Sequence, residues 1–202
     1  MNTNGQILYY NNGRKALNKE DNDDVLTLKS GLPSWEAAAG GGALTNLGST
    51  TLTGDGDSIA VTLSESMNFL MLYVHCVGSG AIAGRLRFND DSGNNYSYLN
   101  SNNFGSADSA INQNMANPAN QDPPDDTDIF FTMFGSSYAA DEKAFYSHMN
   151  QPNTAGAGTA PNSTENAFKW VNTSAQITKV DIINGGAGSF AAGSELVVLG
   201  TD

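Results

Sequence analysis

The chain has 202 residues and a formal net charge of −12, with 39% hydrophobic but only 15% charged residues. That length suits one sizeable core with an appended arm, and the shortage of charged helix formers favours a loop-rich β-protein over a helical bundle. The acidic balance, with no cluster of Lys and Arg, excludes the electrostatic footprint of direct nucleic-acid binding. No window approaches the roughly 18 apolar residues of a membrane span.

In chain order, residues 1–5 are followed by "QILYYNNGRKAL", residues 6–17, which sets an Asn-Asn-Gly turn between two short runs. Asn and Gly tolerate positive φ, so this is hairpin chemistry. The start lacks a basic region followed by an apolar one, so synthesis in the cytoplasm is expected. Then come the acidic "KEDNDD", the alternating "VLTLKSG" and "LPSWEAAAGGG", where Pro33 and Gly40 to Gly42 are expected to interrupt any regular element. Residues 1–57 read as an extended arm with a candidate hairpin and no core of its own. Residues 58–202 read as the folded domain.

From Ser58 the texture changes. "SIAVTL" alternates, and "MNFLMLYVHCV", "GRLRF" and "NYSYL" complete four consecutive predicted strands. Residues 100–126 are rich in Asn, Asp and Pro and are expected to hold no buried element, forming instead a long excursion of the functional or partner-ordered kind. "TDIFFTMF", "EKAFYSHM", "NAFKWV", "QITKVDIIN" and "SELVVLG" supply five more predicted strands, separated by Gly, Asn and Pro turns. Strands with connections of such different lengths point to an all-β, antiparallel jelly-roll β-sandwich, more than to an up-and-down barrel.

Several groups invite a chemical reading. Asp90, Asp91, Ser92, Gly93 and Asn94 are oxygen-rich, as a hard cation requires, but the further ligands of a calcium loop do not follow. The segment reads as a turn between strands, with Gly93 supplying positive φ and Asp and Asn capping their own backbone. No metal and no cofactor is expected. His75 and the single Cys76 are strand neighbours on opposite faces, so they do not form a nucleophile and base pair. A Cys76/His148 dyad has no oxyanion signature beside it, and Cys76 reads as a small core residue. The acidic runs "EDNDD" and "DPPDDTD" read as solvated charge in place of the spaced carboxylates of a glycosidase. Trp35, Trp170 and the tyrosines offer a sugar-stacking alternative to core packing. "GGAGSFAAGS" lacks the Lys and the spacing of a phosphate loop. Asn95, Asn162 and Asn172 head glycosylation sequons that a cytoplasmic chain would not use.

"LRFNDDSGNNYSYL", "QITKVDIINGGAGSFAAGSELVVLG" and "VLTLKSGLPSWEAA" together resemble segments of tailed-bacteriophage jelly-roll virion proteins. The matching positions are Arg87, Phe88, Asn89, Gly93, Asn95, Tyr96 and Ser97, then Gly188, Phe190, Gly193 and Ser194. Val25, Leu26 and Thr27 with Pro33, Ser34 and Trp35 look like the short hook that precedes many phage fibre and head-surface domains. The resemblance implies a structural, non-enzymatic virion component. That family includes capsid cement or decoration proteins as well as tail-fibre and baseplate subunits.

The absence of a long shaft tilts the expectation toward a cement or decoration protein on the outer capsid surface, bound to the major capsid protein and self-associating, as a trimer at local three-fold axes. The residues expected to meet the capsid are Ile7, Leu8, Tyr9, Tyr10, Leu32, Pro33 and Trp35, apolar groups on a segment unable to bury them. The alternative is a tail-fibre, baseplate or spike subunit that binds a host receptor or glycan.

Overall fold

The computed structural model describes residues 6–17, 24–37, 43–119, 128–153 and 156–202. The acidic residues 20–23 and 122–127 and the glycines 40–42 lie outside the described residues. The chain divides into two compact units, residues 1–43 and 44–202. Among the described residues every regular element is a strand, as an all-β fold requires.

The first unit contains two hairpins. β1 (Ile7–Tyr10) pairs antiparallel with β2 (Arg14–Leu17) around the predicted turn, where Asn12 and Gly13 have φ of 50° and 130°. β3 (Asp24–Lys29) pairs with β4 (Leu32–Ala37) through Ser30 and Gly31, at φ 54° and 81°. Two consecutive left-handed residues make the turn that matches strand twist. Pro33, expected to break regular structure, lies inside β4 opposite Leu28. The physical reason is its register. Lys29 and Leu32 close the two-residue turn, so the next pair is a non-hydrogen-bonded one in which the missing N–H of Pro33 costs nothing.

The second unit begins at Leu44, so the expected boundary at residue 57 is too late. β5 (Thr45–Thr51) is an edge strand of the main sheet, hydrogen-bonded to β17 (Glu195–Thr201). Its single deeply buried apolar side chain is Leu47, which is why it reads as arm in the sequence. β6 (Ser58–Thr62), β7 (Phe69–Cys76), β9 (Gly84–Phe88) and β10 (Tyr96–Asn102) are the four strands predicted in succession. A two-residue strand, β8 (Gly78–Ser79), follows β7 and pairs with β16 (Ser189–Phe190). β11 (Ala107–Gln113), β12 (Ile129–Ser136), β13 (Lys143–Gln151), β14 (Asn162–Trp170) and β15 (Lys179–Asn184) complete the set.

Eight strands form one antiparallel sheet in the order β11-β10-β14-β13-β12-β7-β17-β5, and β6-β15-β9 form a three-stranded sheet. The expected antiparallel all-β fold is thus present. Its strands divide eight and three, a partition unlike the even pair of sheets in a jelly roll. One apolar cluster joins the two sheets. Phe88 of the smaller sheet stacks among Phe145, Trp170 and Phe168 of the larger, with ring centroids 5.0, 5.7 and 6.4 Å away. Along β7 the inward residues Leu70, Leu72, Val74 and Cys76 are buried while their neighbours face outward, the period of two that a half-buried strand dictates.

The segment from Arg85 to Asn100 is not a hairpin, because β9 pairs with β15 in the small sheet while β10 pairs with β14 and β11 in the large one. It is the corner between sheets. Its left-handed residues are Asn89 and Asp90, at φ 51° and 58°, and Gly93 is not among them. A Cβ at Gly93 would meet the side-chain ends Asn95 Nδ2 at 2.8 Å and Asp91 Oδ1 at 3.1 Å, which hydrogen-bond across the corner.

The polar excursion also contains ordered structure. β11 adds the outer strand beside β10, and Ala116 bridges Leu86 with reciprocal backbone bonds of 3.0 and 3.1 Å. Asn117, Pro118 and Ala119 are buried. Inward-facing Asn166 donates to the Asn117 carbonyl at 2.5 Å and Ser147 to that of Pro118 at 3.0 Å. The end of the large sheet carries polar inward residues, and the backbone of this segment accepts hydrogen bonds from two of them.

Candidate interaction surface

The groups with chemical potential are largely committed to structure. Cys76 is fully buried, and desolvation first, then the Asp128 charge, pushes its thiol well above the ordinary range. His75 lies on the opposite face with Nε2 3.3 Å from Asp128 Oδ2. His148 Nε2 is 2.8 Å from Ser163 Oγ, the spacing of a base and a nucleophile. The Ser163 N–H donates to Asn103 Oδ1, however, and Glu165, the cross-strand neighbour of His148, accepts from Tyr146. The backbone donor and the carboxylate that a triad would use are thus engaged elsewhere.

At the inter-sheet corner the two aspartates diverge. Asp90 pairs with Lys179, whereas Asp91 accepts from Trp170 Nε1 at 2.6 Å, Gly93 N at 2.9 Å and Asn95 Nδ2 at 2.9 Å. Burial raises the Asp91 pKa, but those three donors and the Arg87 charge outweigh it and hold the carboxyl below the usual range. Asn89 ties the corner to β15, accepting from Thr178 N at 2.8 Å and Lys179 N at 3.0 Å. Lys143, buried, donates to the carbonyls of Ala139, Asp141 and Asn172 at 3.2, 2.8 and 2.7 Å, and its Nζ lies 5.8 Å from the centre of the Trp170 ring. Trp170 is therefore a core residue and no sugar platform. Among the described residues no three His, Cys, Asp or Glu side chains are grouped as metal ligands, and no helix is long and apolar enough to cross a membrane.

No family model matches this chain, and no curated protein or solved structure does.

What the fold does present is apolar surface, in two places. In the first unit, the β3–β4 register sets Leu26 beside Trp35 and Leu28 beside Pro33 on one face. The other face carries the Lys29–Glu36 ion pair at 3.1 Å, with Ser34 donating to Glu36 at 2.8 Å. The Ser34 and Lys29 hydrogen bonds lower the Glu36 pKa. The hairpin is amphipathic, and Leu28 is 75% exposed. In β1–β2, Leu8 and Tyr10 share a face with Ala16 and Arg14 and are exposed, Tyr10 by 81%. Ile7 and Tyr9 are half-buried on the opposite face.

Of the residues expected at a contact, the structure thus groups Pro33 with Trp35 and Leu8 with Tyr10. It places Leu32 on the polar face beside Lys29. Leu26 and Leu28 belong to the apolar face and are missing from that expectation. Their signal is the alternation in "VLTLK", which puts Leu26 and Leu28 on one face of a strand.

In the second unit, the outward face of the eight-stranded sheet carries a row that the pairing registers trace strand by strand: Leu199, Met71, Phe134, Tyr146, Ala167 and Leu99. Phe134 is 55% and Leu99 50% exposed, and the Phe134 and Tyr146 rings are 5.5 Å apart. The solvated face of an antiparallel sheet is ordinarily polar.

Proposed function

We propose that this protein is a structural virion component of the capsid cement or decoration type, which holds a shell subunit through its N-terminal hairpins. The observation that carries the reading is the β3–β4 hairpin, whose face of Leu26, Leu28, Pro33 and Trp35 belongs to a two-stranded element too small to be stable by itself in water. Such a hairpin is stabilised by a partner that supplies the missing layer. Burial of four apolar side chains on a narrow, turn-closed scaffold concentrates binding energy as interfaces do. Many copies, each adding a modest contact, then reinforce a shell by multivalency.

Charge supports an outward location. Of the nine Lys and Arg and 21 Asp and Glu residues, four and five fall in residues 1–43, leaving five and 16, a net −11, in residues 44–202. A strongly acidic unit is unfavourable against packaged DNA and tolerable on the outside of a shell. The virion assignment itself rests on the phage-like segments described above, and the major capsid protein is the partner it names.

The test is binding of the full-length protein to expanded, undecorated heads, with Leu26→Ser/Leu28→Ser as the arm variant. Loss of affinity by about 30-fold or more is expected for removing a hot spot of this kind. Undiminished binding defeats the arm reading. Binding to host cells or envelope glycans with none to heads transfers the protein to the tail-fibre, baseplate or spike alternative.

A further inference from the structure

We propose that the outward face of the eight-stranded sheet is a self-association surface on which a second copy of this chain packs face to face. The cross-strand row from Leu199 to Leu99 crosses six of the eight strands, and Phe69 and Phe130 flank it on the same face, both exposed. An antiparallel sheet with aromatic and aliphatic side chains on both faces has the composition of a layer in a stack, in which each face meets another layer.

The charges of the face point to a like partner. In a unit with net −11, the outward positions of β7, β12, β13, β14 and β17 carry two acidic side chains, Glu165 and Glu195, and one basic, Lys169, which pairs with Glu142 at 2.7 Å. His75 and His148 share the face. Two copies repel one another over most of their acidic surface and least across this one. Depletion of charge with enrichment of Phe, Tyr and Met is the composition of an interface core.

The dimensions suit the same partner. Seven gaps at about 4.8 Å and strands of about eight residues at about 3.3 Å each give a face of roughly 34 by 26 Å, or about 900 Å². A stable protein pair needs about 800 Å² from each partner. A face-to-face pair is isologous and closes as a dimer, whereas contacts through strand edges or loops leave this face uncovered. The surface belongs wholly to residues 44–202, so it does not depend on the capsid reading.

Sedimentation equilibrium of the full-length protein from about 1 to 100 μM tests it, a range chosen to span weak and moderate dimer affinities. The native chain should be dimeric within that range. Phe134→Glu should weaken the dimer by about 100-fold or more, because it places an unpaired charge at the centre of the contact. Leu99→Glu, on a strand at the other end of the row, should act in the same direction, and both side chains point to solvent, so an unchanged circular dichroism spectrum is expected. Leu26→Ser/Leu28→Ser should leave the dimer intact while weakening head binding. A monomer at the highest concentration overturns the proposal. So does a trimer or other oligomer that both face variants leave unchanged, and so does an oligomer lost on changing the arm alone.

Discussion

Replacing Asp91 by Ala tests whether the corner between the two sheets is a stabilising joint. The carboxylate accepts the Trp170 indole N–H at 2.6 Å and also holds Gly93 N and Asn95 Nδ2, each at 2.9 Å. Trp170 is 1% exposed with the carboxylate in place, so its donor depends on Asp91 as its partner. An orphaned buried donor costs about 1–3 kcal/mol, and the two turn bonds contribute about 1 kcal/mol more between them, for a total of about 2–4 kcal/mol. Urea unfolding followed by circular dichroism and tryptophan emission measures this. Asp91→Asn keeps one acceptor oxygen and should lose about half as much.

In a Trp170→Phe background the donor is already absent. The Asp91→Ala penalty should then fall to about 1 kcal/mol, since only the turn bonds remain to be lost. The sign of the pH dependence follows from the lowered pKa of Asp91. On acidification the unfolded chain takes up the proton first, near the ordinary aspartate value of about 3.9. The stabilisation is therefore complete above that value and is lost as pH falls through the lower folded one. The gap between native and Asp91→Ala stability should narrow over the same window. An Asp91→Ala protein within about 0.5 kcal/mol of native, or a penalty unchanged by Trp170→Phe, would refute the joint.

Three further outcomes are expected. Lys143→Met should cost about 3 kcal/mol in denaturant unfolding, because the carbonyls of Ala139, Asp141 and Asn172 lose a charged donor in a buried site. A midpoint unchanged from native would show those loops to be held otherwise. Gly135→Ala should lower the thermal midpoint by several degrees, since its Cβ would lie 2.3 Å from the Ala144 carbonyl oxygen and 2.5 Å from the Phe145 ring. Gly158→Ala, with no atom within 4 Å of the added Cβ, serves as the neutral control. Cys76, fully buried and with its thiol pushed up by desolvation, should resist a thiol reagent in the native protein and react once per chain on unfolding. Rapid native labelling would place the thiol outside the core.

Sequence by itself determined the class of this fold and most of its strands. Alternation along "SIAVTL" and "FLMLYVHC" forces one face inward whatever the partner strand, and the Asn-Asn-Gly and Ser-Gly dipeptides accept the left-handed conformations that close hairpins. Local chemistry carries those signals. β5 and β11 escaped because Thr, Ser, Asn and Ala give no period. They are strands because β17 and β10 offer open hydrogen-bonding edges, and only the sheet decides that. Pro33 in β4 is the same lesson at one residue, since its tolerance depends on which side of a two-stranded ribbon its nitrogen faces.

Tertiary structure also decided what the apolar residues are for. "DIFFTMF" reads as a strand apolar on both faces, and the fold puts Phe131 and Met133 in the core and leaves Phe130 and Phe134 outside. A linear chain does not show which of two apolar faces will be covered, because covering requires a second layer, and here the β6-β15-β9 sheet covers the face that carries Phe131 and Met133. The corner at Asn89 to Asn95 likewise reads locally as a turn. Its strands part into different sheets, and the parting sets Phe88 of β9 among Phe145, Phe168 and Trp170 across the core.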